Sequence, residues 1–272
     1  MADANLEYIV QGKNLQLLKQ NMDKTYAKTV NTVPIDQANG NITLNSDNIP
    51  YGDDSNVKAA LDAINDKLNY KPITISSLTN SVGTVEKGSK VRAVTVSWKF
   101  GGSAPVTATL NGTALTSAEL TAGKKDFSYP APTGDGSDPA LVTDTQFTLS
   151  ATDDHKTAVS GSTSVLFKNK KYWGIGAVDA DAVDSAFILG LGGNAFADNF
   201  SGDFTVNPGA DDYFYFAFPS AWGVPKFKVG GFEGGVALLK TLDFTNASGY
   251  TESYDVYRSS NKNLGQSTVT VG

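Results

Sequence analysis

Residues 91–100, VRAVTVSWKF, place Val94, Val96, Trp98 and Phe100 at every second position. Side chains two residues apart share one face of a strand, so this segment reads as a strand with one buried face carrying an inward tryptophan. The pattern recurs on both sides. Residues 106–115, VTATLNGTAL, put Val106, Ala108 and Leu110 on one face and then break at Asn-Gly, a two-residue hairpin signal. TQFTLSATD and STSVLFKN alternate through Phe147, Leu149, Ala151, Val165 and Phe167. Several short strands around a core tryptophan predict an immunoglobulin-like β-sandwich over 72–168. The chain has no cysteine, so an apolar core must hold that sandwich without a disulfide.

Composition supports a β-rich protein. The chain has 272 residues, 40% hydrophobic and 18% charged, with 27 glycines. That length suits two or three domains, and the composition suits folded cores rather than global disorder. The net charge is -6 and no Lys/Arg stripe occurs, which argues against nucleic acid and anionic membranes as partners. No apolar run approaches the ~20 residues that cross a bilayer. The N-terminal MADANLEYIVQGKNLQLLKQ lacks a basic region followed by an apolar one, so the expectation is synthesis in the cytoplasm without a Sec leader.

Beyond 168, GDFTVNPG, DYFYFAFPSAWG, PKFKVGGFEGG, YTESYDVYRS and STVTVG read as strands punctuated by glycine and proline. They predict a second β-sandwich-like domain or partial barrel over 169–272. A short helix after the capping Asp184 precedes them. On the other side, residues 1–50 carry apolar side chains but no closed core, and read as an arm that docks on a partner. Residues 51–71 read as a helix capped at Asp54 or Ser55 and ended by Pro72. Its Val57, Leu61, Ile64 and Leu68 fall at spacings of four, three and four, an a/d seam of about two heptads. With no core in the arm to receive this seam, packing against copies of itself is the simplest cover.

Candidate chemistry is sparse. One histidine, His155, sits in the hydrophilic ATDDHKTA, where a solvated turn is the natural reading. With no cysteine, every Cys/His dyad is excluded, and zinc would rest on one histidine plus carboxylates. Asp179, Asp181 and Asp184 fail the calcium-loop pattern, because the sixth position is Asp184 and the twelfth Gly190. GLGGNA lacks the Lys-Ser/Thr of a phosphate loop and reads as a turn. Asp211, Asp212, Glu233 and Glu252 could form a glycosidase pair, but read by default as surface charge. No catalytic residue, metal ligand or cofactor site is assigned. Tyr213, Tyr215 and Trp222 are the candidate surface-contact aromatics, since alternation turns part of that aromatic strand outward, with core or subunit-interface packing as the preferred reading.

IPYGDDSNVKAALDAINDKL (49–68) resembles the segment of bacteriophage tail-fibre proteins in which an Ile-x-Tyr turn enters an Asn-Val-x-x-Ala-Leu/Ile-Asp helix. LFKNKKYWGIG (166–176), FAFPSAWGVPKFKVGGFEGG (216–235) and FTNASGYTESYDVYRSSNKNLGQSTVTV (244–271) resemble the C-terminal module of phage fibre and baseplate proteins. The likeness covers roughly 42–72 and 90–272. It implies a non-enzymatic virion protein of the tail-fibre, baseplate or head-fibre kind. In it, the arm would bind other virion proteins, the helix would make a homotrimer, and the β-domains would meet a host surface glycan or protein. The alternative expectation is a glycan-binding or glycan-depolymerising protein acting on host polysaccharide.

Overall fold

The computed structural model describes residues 57–134 and 136–272, together with the paired segments 29–30, 33–34, 50–51 and 55–56. The protein is mainly β, with several antiparallel sheets. The chain divides into two compact units, 1–71 and 72–272.

In the first unit, β1 (Thr29–Val30) pairs with β2 (Val33–Pro34) and β3 (Pro50–Tyr51) with β4 (Ser55–Asn56), both antiparallel. Helix α1 (Val57–Asn69) follows. The arm assigned to 1–50 otherwise lies outside the described residues.

The second unit begins with β5 (Thr74–Asn80), β6 (Thr84–Glu86), β7 (Ala93–Gly101), β8 (Thr107–Leu110) and β9 (Thr113–Ala114). Helix α2 (Ser117–Ala122), β10 (Lys124–Ser128), β11 (Thr145–Thr152) and β12 (Ala158–Gly176) come next. A three-stranded sheet, β10-β7-β5, faces β8, β11 and β12 of a nine-stranded sheet. Val94, Val96 and Trp98 from β7 meet Leu110, Phe147, Leu149 and Val165 from the opposite layer. The alternation in VTVSWKF thus buries one strand face, as the period of two requires. The β8–β9 hairpin closes through Asn111 and Gly112, both at positive φ (50° and 76°). That is the geometry of a primed two-residue turn, which Asn-Gly adopts at low cost.

After β12 come helix α3 (Ser185–Leu189), β13 (Gly193–Ala197), β14 (Gly202–Val206) and β15 (Tyr213–Pro219). The chain ends with β16 (Phe227–Val229), β17 (Phe232–Glu233), β18 (Val236–Thr245), β19 (Thr251–Ser259) and β20 (Ser267–Val271). β18, β19 and β15 continue the nine-stranded sheet onto the distal half of β12, and β13 pairs with β12 as well. A four-stranded sheet, β14-β20-β16-β17, covers one face of this region over Phe214, Phe216, Phe218 and Tyr257. The other face packs Tyr215, Ala217, Tyr254 and Val256 against Ile188 of α3 and Leu191. β15 is therefore buried on both sides.

One strand runs through both β regions. β12 is 19 residues long and crosses position 168 without a break, so the domains expected over 72–168 and 169–272 share a strand. The charged KNKK in its middle lies within the ladder, Lys168 pairing with Glu86 of β6 and Asn169, Lys170 and Lys171 pairing with β13. The crossing is braced by a polar cluster. Glu86 is buried and its Oε1 accepts a 2.8 Å hydrogen bond from the Tyr172 hydroxyl. Lys170 Nζ lies 3.8 Å from the other carboxylate oxygen. Lys87 Nζ bonds Glu252 at 3.0 Å and sits 4.8 Å from the Tyr250 ring centroid, and Asn246 Nδ2 donates to the Lys87 carbonyl at 2.7 Å. Gly88 has φ 91°, and a Cβ there would lie 2.3 Å from Tyr250 Cβ. The backbone of the β6 turn can approach the β18–β19 turn this closely only because residue 88 lacks a side chain.

Candidate functional site

Asp153, Asp184, Asp212 and Glu252 serve turns, a helix cap and an ion pair. His155 is partly exposed in a turn, with Nδ1 3.0 Å from the exposed Asp154 carboxylate. Asp153, beside it, is buried and accepts from the backbone N–H of Ile73 (3.2 Å) and Thr157 (2.9 Å). Its carboxylate closes the turn and ties it to the start of β5. Asp184 caps α3, its Oδ1 accepting from Phe187 N at 2.8 Å. Asp212 accepts from Gly209 N within its own turn, Glu252 pairs with Lys87, Asp211 lies 3.9 Å from Lys262, and Glu233 is exposed in β17. Among the described residues, no three His, Asp or Glu side chains are grouped to hold a metal ion.

Of the three surface aromatics, Tyr215 is a correction. It is fully buried, and its hydroxyl donates to the Val178 carbonyl at 2.6 Å. Alternation fails to turn it outward because both faces of β15 are covered by core. Tyr213 is half-buried, with the Arg258 guanidinium 4.2 Å and Lys262 Nζ 5.4 Å from its ring centroid. Trp222 is half-buried and stacked on Phe218 at 6.1 Å. The three do not form one exposed cluster.

The helical seam is in the opposite condition. Leu61, Ile64 and Leu68 are 55%, 59% and 81% exposed. The Val57 side chain, also assigned to the seam, lies outside the described residues. Every described side chain from 61 to 69 is exposed, so the described residues leave this face of α1 uncovered.

One concave feature was not singled out from sequence. It is a groove of about 340 Å³ lined by Trp173, Gly174 and Ile175 of β12, Gly192, Gly193 at the start of β13, and Thr205, Val206 and Asn207 at the end of β14. Its construction follows from the run Gly190–Gly193. Gly190 ends α3, Leu191 is buried in the core, and Gly192 and Gly193 pass over β12. A Cβ on Gly193 would fall 2.3 Å from Cε2 and Nε1 of Trp173, so the indole lies directly against the Gly193 backbone. A Cβ on Gly174 would fall 3.0 Å from Gly192 N. Phe204 packs on Trp173 with ring centroids 4.8 Å apart. The sequence signal was available in the pairing of YWGIG with GLGG: two glycine-bearing segments beside an aromatic mark a close backbone approach.

No protein-family model matches the chain, and no curated protein matches it.

Proposed function

We propose that this chain is a non-enzymatic structural protein of a bacteriophage particle, a trimeric fibre-like component of the tail-fibre, baseplate or head-fibre kind. Residues 1–50 attach it to other virion proteins. α1 is the trimerisation helix, a short coiled coil. Residues 72–168 are an immunoglobulin-like sandwich, followed by a second β-module that offers surface to a host glycan or protein. The protein is made in the host cytoplasm and resides in the virion.

The observation that carries this reading is the uncovered seam of α1. A helix of 13 residues is near the lower limit of independent stability, and most helical stability comes from packing an apolar face. Leu61, Ile64 and Leu68 are exposed, and three-fold packing of the seam would remove them from water. The braced crossing of β12 supports the same reading, since a continuous strand suits a stiff surface module. The sequence likeness to phage fibre segments supplies the biological setting.

The test is the mass in solution by light scattering. Three times the chain mass of 28.6 kDa is the expected result. A monomer at micromolar concentration overturns the trimer.

A further inference from the structure

We propose that Arg258, flanked by Lys262, binds an oxyanion of an anionic host-surface polymer, either a sugar carboxylate or a phosphate ester. This deepens the reading of the second β-module as a contact surface and rests on it for the source of the anion.

The chain has two arginines, Arg92 and Arg258. Arg92 donates from both terminal nitrogens to Asp138, at 3.0 and 2.9 Å. That is the bidentate fork to which a planar guanidinium is suited. Arg258 forms no ion pair with a carboxylate among the described residues. Aromatic neighbours hold it instead. Its guanidinium lies 4.2 Å from the Tyr213 ring centroid. Burial pushes the Tyr215 phenol up and the Arg258 guanidinium pulls against that shift, so the cation also lies beside this hydroxyl. The Tyr215 hydroxyl donates its own proton to the Val178 carbonyl, which leaves its oxygen to face the cation. Arg258 is thus positioned, partly exposed and without a counter-ion. Its remaining N–H donors match a carboxylate or phosphate in charge and geometry, and little side-chain freedom is left to lose on binding. A neutral hydroxyl would leave the charge uncompensated.

Lys262 adds a second positive charge, with Nζ 5.4 Å from the same ring centroid. Its acidic neighbour, Asp211, is 3.9 Å away and its side chain is 90% exposed, so this pair is weak and a ligand can displace it. The loop that carries Lys262 is fixed. The buried Ser259 hydroxyl accepts from Phe214 N at 3.0 Å and donates to the Asn261 carbonyl at 2.8 Å. Asn263 N donates to the Asp212 carbonyl at 3.1 Å.

The two cations lie at one pole of the second unit. Ile73 N donates to Asp153 in the turn that precedes β12. β12 then runs for 19 residues, about 60 Å of strand at ~3.3 Å per residue, to Gly176. Gly176 pairs with Tyr213, and Arg258 with Tyr215. The site is therefore at the end of β12 remote from residue 72, where the second unit begins.

The experiment is NMR of the deuterated, nitrogen-labelled full chain. Two arginines give two side-chain Nε–H signals, and that of Arg258 is identified by its contact with the Tyr213 ring protons. Methyl β-glucuronide and glycerol 3-phosphate are each titrated over ~0.1–20 mM at constant ionic strength, because salt screens such charges. Methyl β-glucoside is the neutral control. The expected result is a saturable shift of the Arg258 signal with at least one anion, with Arg92 unmoved and the glucoside without effect. A shift with the glucuronide alone identifies a sugar carboxylate, a shift with glycerol 3-phosphate alone a phosphate ester, and a shift with both an oxyanion of either kind. Arg258→Lys keeps the charge but loses the fork, and should weaken binding at least ten-fold when read on the Tyr213 ring protons. Absence of a saturable shift with both anions overturns the proposal. So do an equal shift with the glucoside, joint movement of the two arginine signals, and undiminished binding by Arg258→Lys. If Arg258→Lys melts lower than the wild type, Lys262→Ala decides in its place: weakened binding supports the site, and undiminished binding overturns it. Each of these outcomes is independent of the mass measured by light scattering, so failure of the anion site and failure of the trimer are separately visible.

Discussion

The Tyr172 hydroxyl donates a 2.8 Å hydrogen bond to the carboxylate of Glu86, and both residues are buried. Tyr172 lies on the distal half of β12, and Glu86 ends the strand β6 that pairs with its middle. The bond therefore fastens the proximal β region to the distal one. Burial first, and then the Glu86 carboxylate, hold the Tyr172 phenol well above its ordinary value of 10.0. A raised pKa means that the folded state keeps its proton longer than the unfolded state. The stabilisation is thus complete below pH 10 and is lost as the pH rises beyond it.

Removing that hydroxyl should be costly. Tyr172→Phe leaves Glu86 Oε1 without its donor in a buried place, and a hydrogen bond to a charged group is worth about 1.5–3 kcal/mol. Gly88→Ala should also destabilise, because its Cβ would fall 2.3 Å from Tyr250 Cβ at a φ of 91°. Because β12 and this cluster join the two regions, calorimetry of the full chain should show residues 72–272 unfolding in one transition. Two resolved transitions for that unit, or a Tyr172→Phe protein as stable as the wild type in urea, would contradict the bracing role.

Trp98 tests the proximal core. It is 6% exposed between the two layers, so Trp98→Ala should cost about 3–5 kcal/mol, as deletions of large buried aromatics do. Its Nε1 is buried without a hydrogen-bond partner among the described residues. Trp98→Phe removes that unsatisfied donor along with part of the ring, so the two effects oppose each other. A loss below about 1.5 kcal/mol is expected for Phe. Denaturant midpoints of the two variants measure the difference, and equal losses would remove the argument.

Acid should loosen the loop between β10 and β11. Asp138 accepts from both terminal nitrogens of Arg92 (3.0 and 2.9 Å) and from Ala140 N (3.1 Å), with Lys90 3.0 Å away. Arg92, then the Ala140 N–H, then Lys90 hold its carboxyl well below the ordinary 3.8. Glu119 is held at about 2, against an ordinary 4.5, first by Lys125 and then by the Thr116 N–H. Depressed carboxylates stabilise the fold above their unfolded pKa and stop doing so as the pH falls through the folded one. The melting temperature should therefore decline from about pH 4.5 toward pH 2. Asp138→Asn should start lower at neutral pH and decline less, and parallel curves for the two proteins would count against this account.

Much of the fold was legible where a strand buries only one face. VTVSWKF, the Asn111-Gly112 hairpin and the Asp184 cap follow from alternation, turn chemistry and capping. The α2 capping box, Thr116 with Glu119, was present as a Thr-x-x-Glu signal but went unread beside the stronger strand pattern. β15 was harder, because a strand between two cores shows no alternation between inside and outside. Tyr215 and Phe214 point to opposite faces and are equally buried. β12 was harder still, since Lys168, Lys170 and Lys171 interrupt its apolar pattern. Their partners, Asp198, Glu86 and the Ser201 carbonyl, lie far away in sequence. The Trp173 groove depends on three segments meeting, and only the tertiary structure brings Gly192 and Asn207 to one indole.

The proposed trimerisation through α1 gives the sharpest prediction. Leu61 and Ile64 are neighbours along the exposed seam of α1, a helix of 13 residues and about 20 Å at ~1.5 Å per residue. So short a helix associates weakly by itself, and contacts elsewhere in the chain must contribute to a trimer. Leu61→Asp with Ile64→Asp would bring six carboxylates near one three-fold axis. Each ion taken out of water without a partner costs several kcal/mol, more than a two-heptad seam can return. The double variant should therefore be monomeric or aggregate, whereas Lys67→Ala, exposed and off the seam, should leave the mass unchanged. Light scattering separates the cases: a double variant that keeps the mass of a trimer would show that α1 does not hold the copies together.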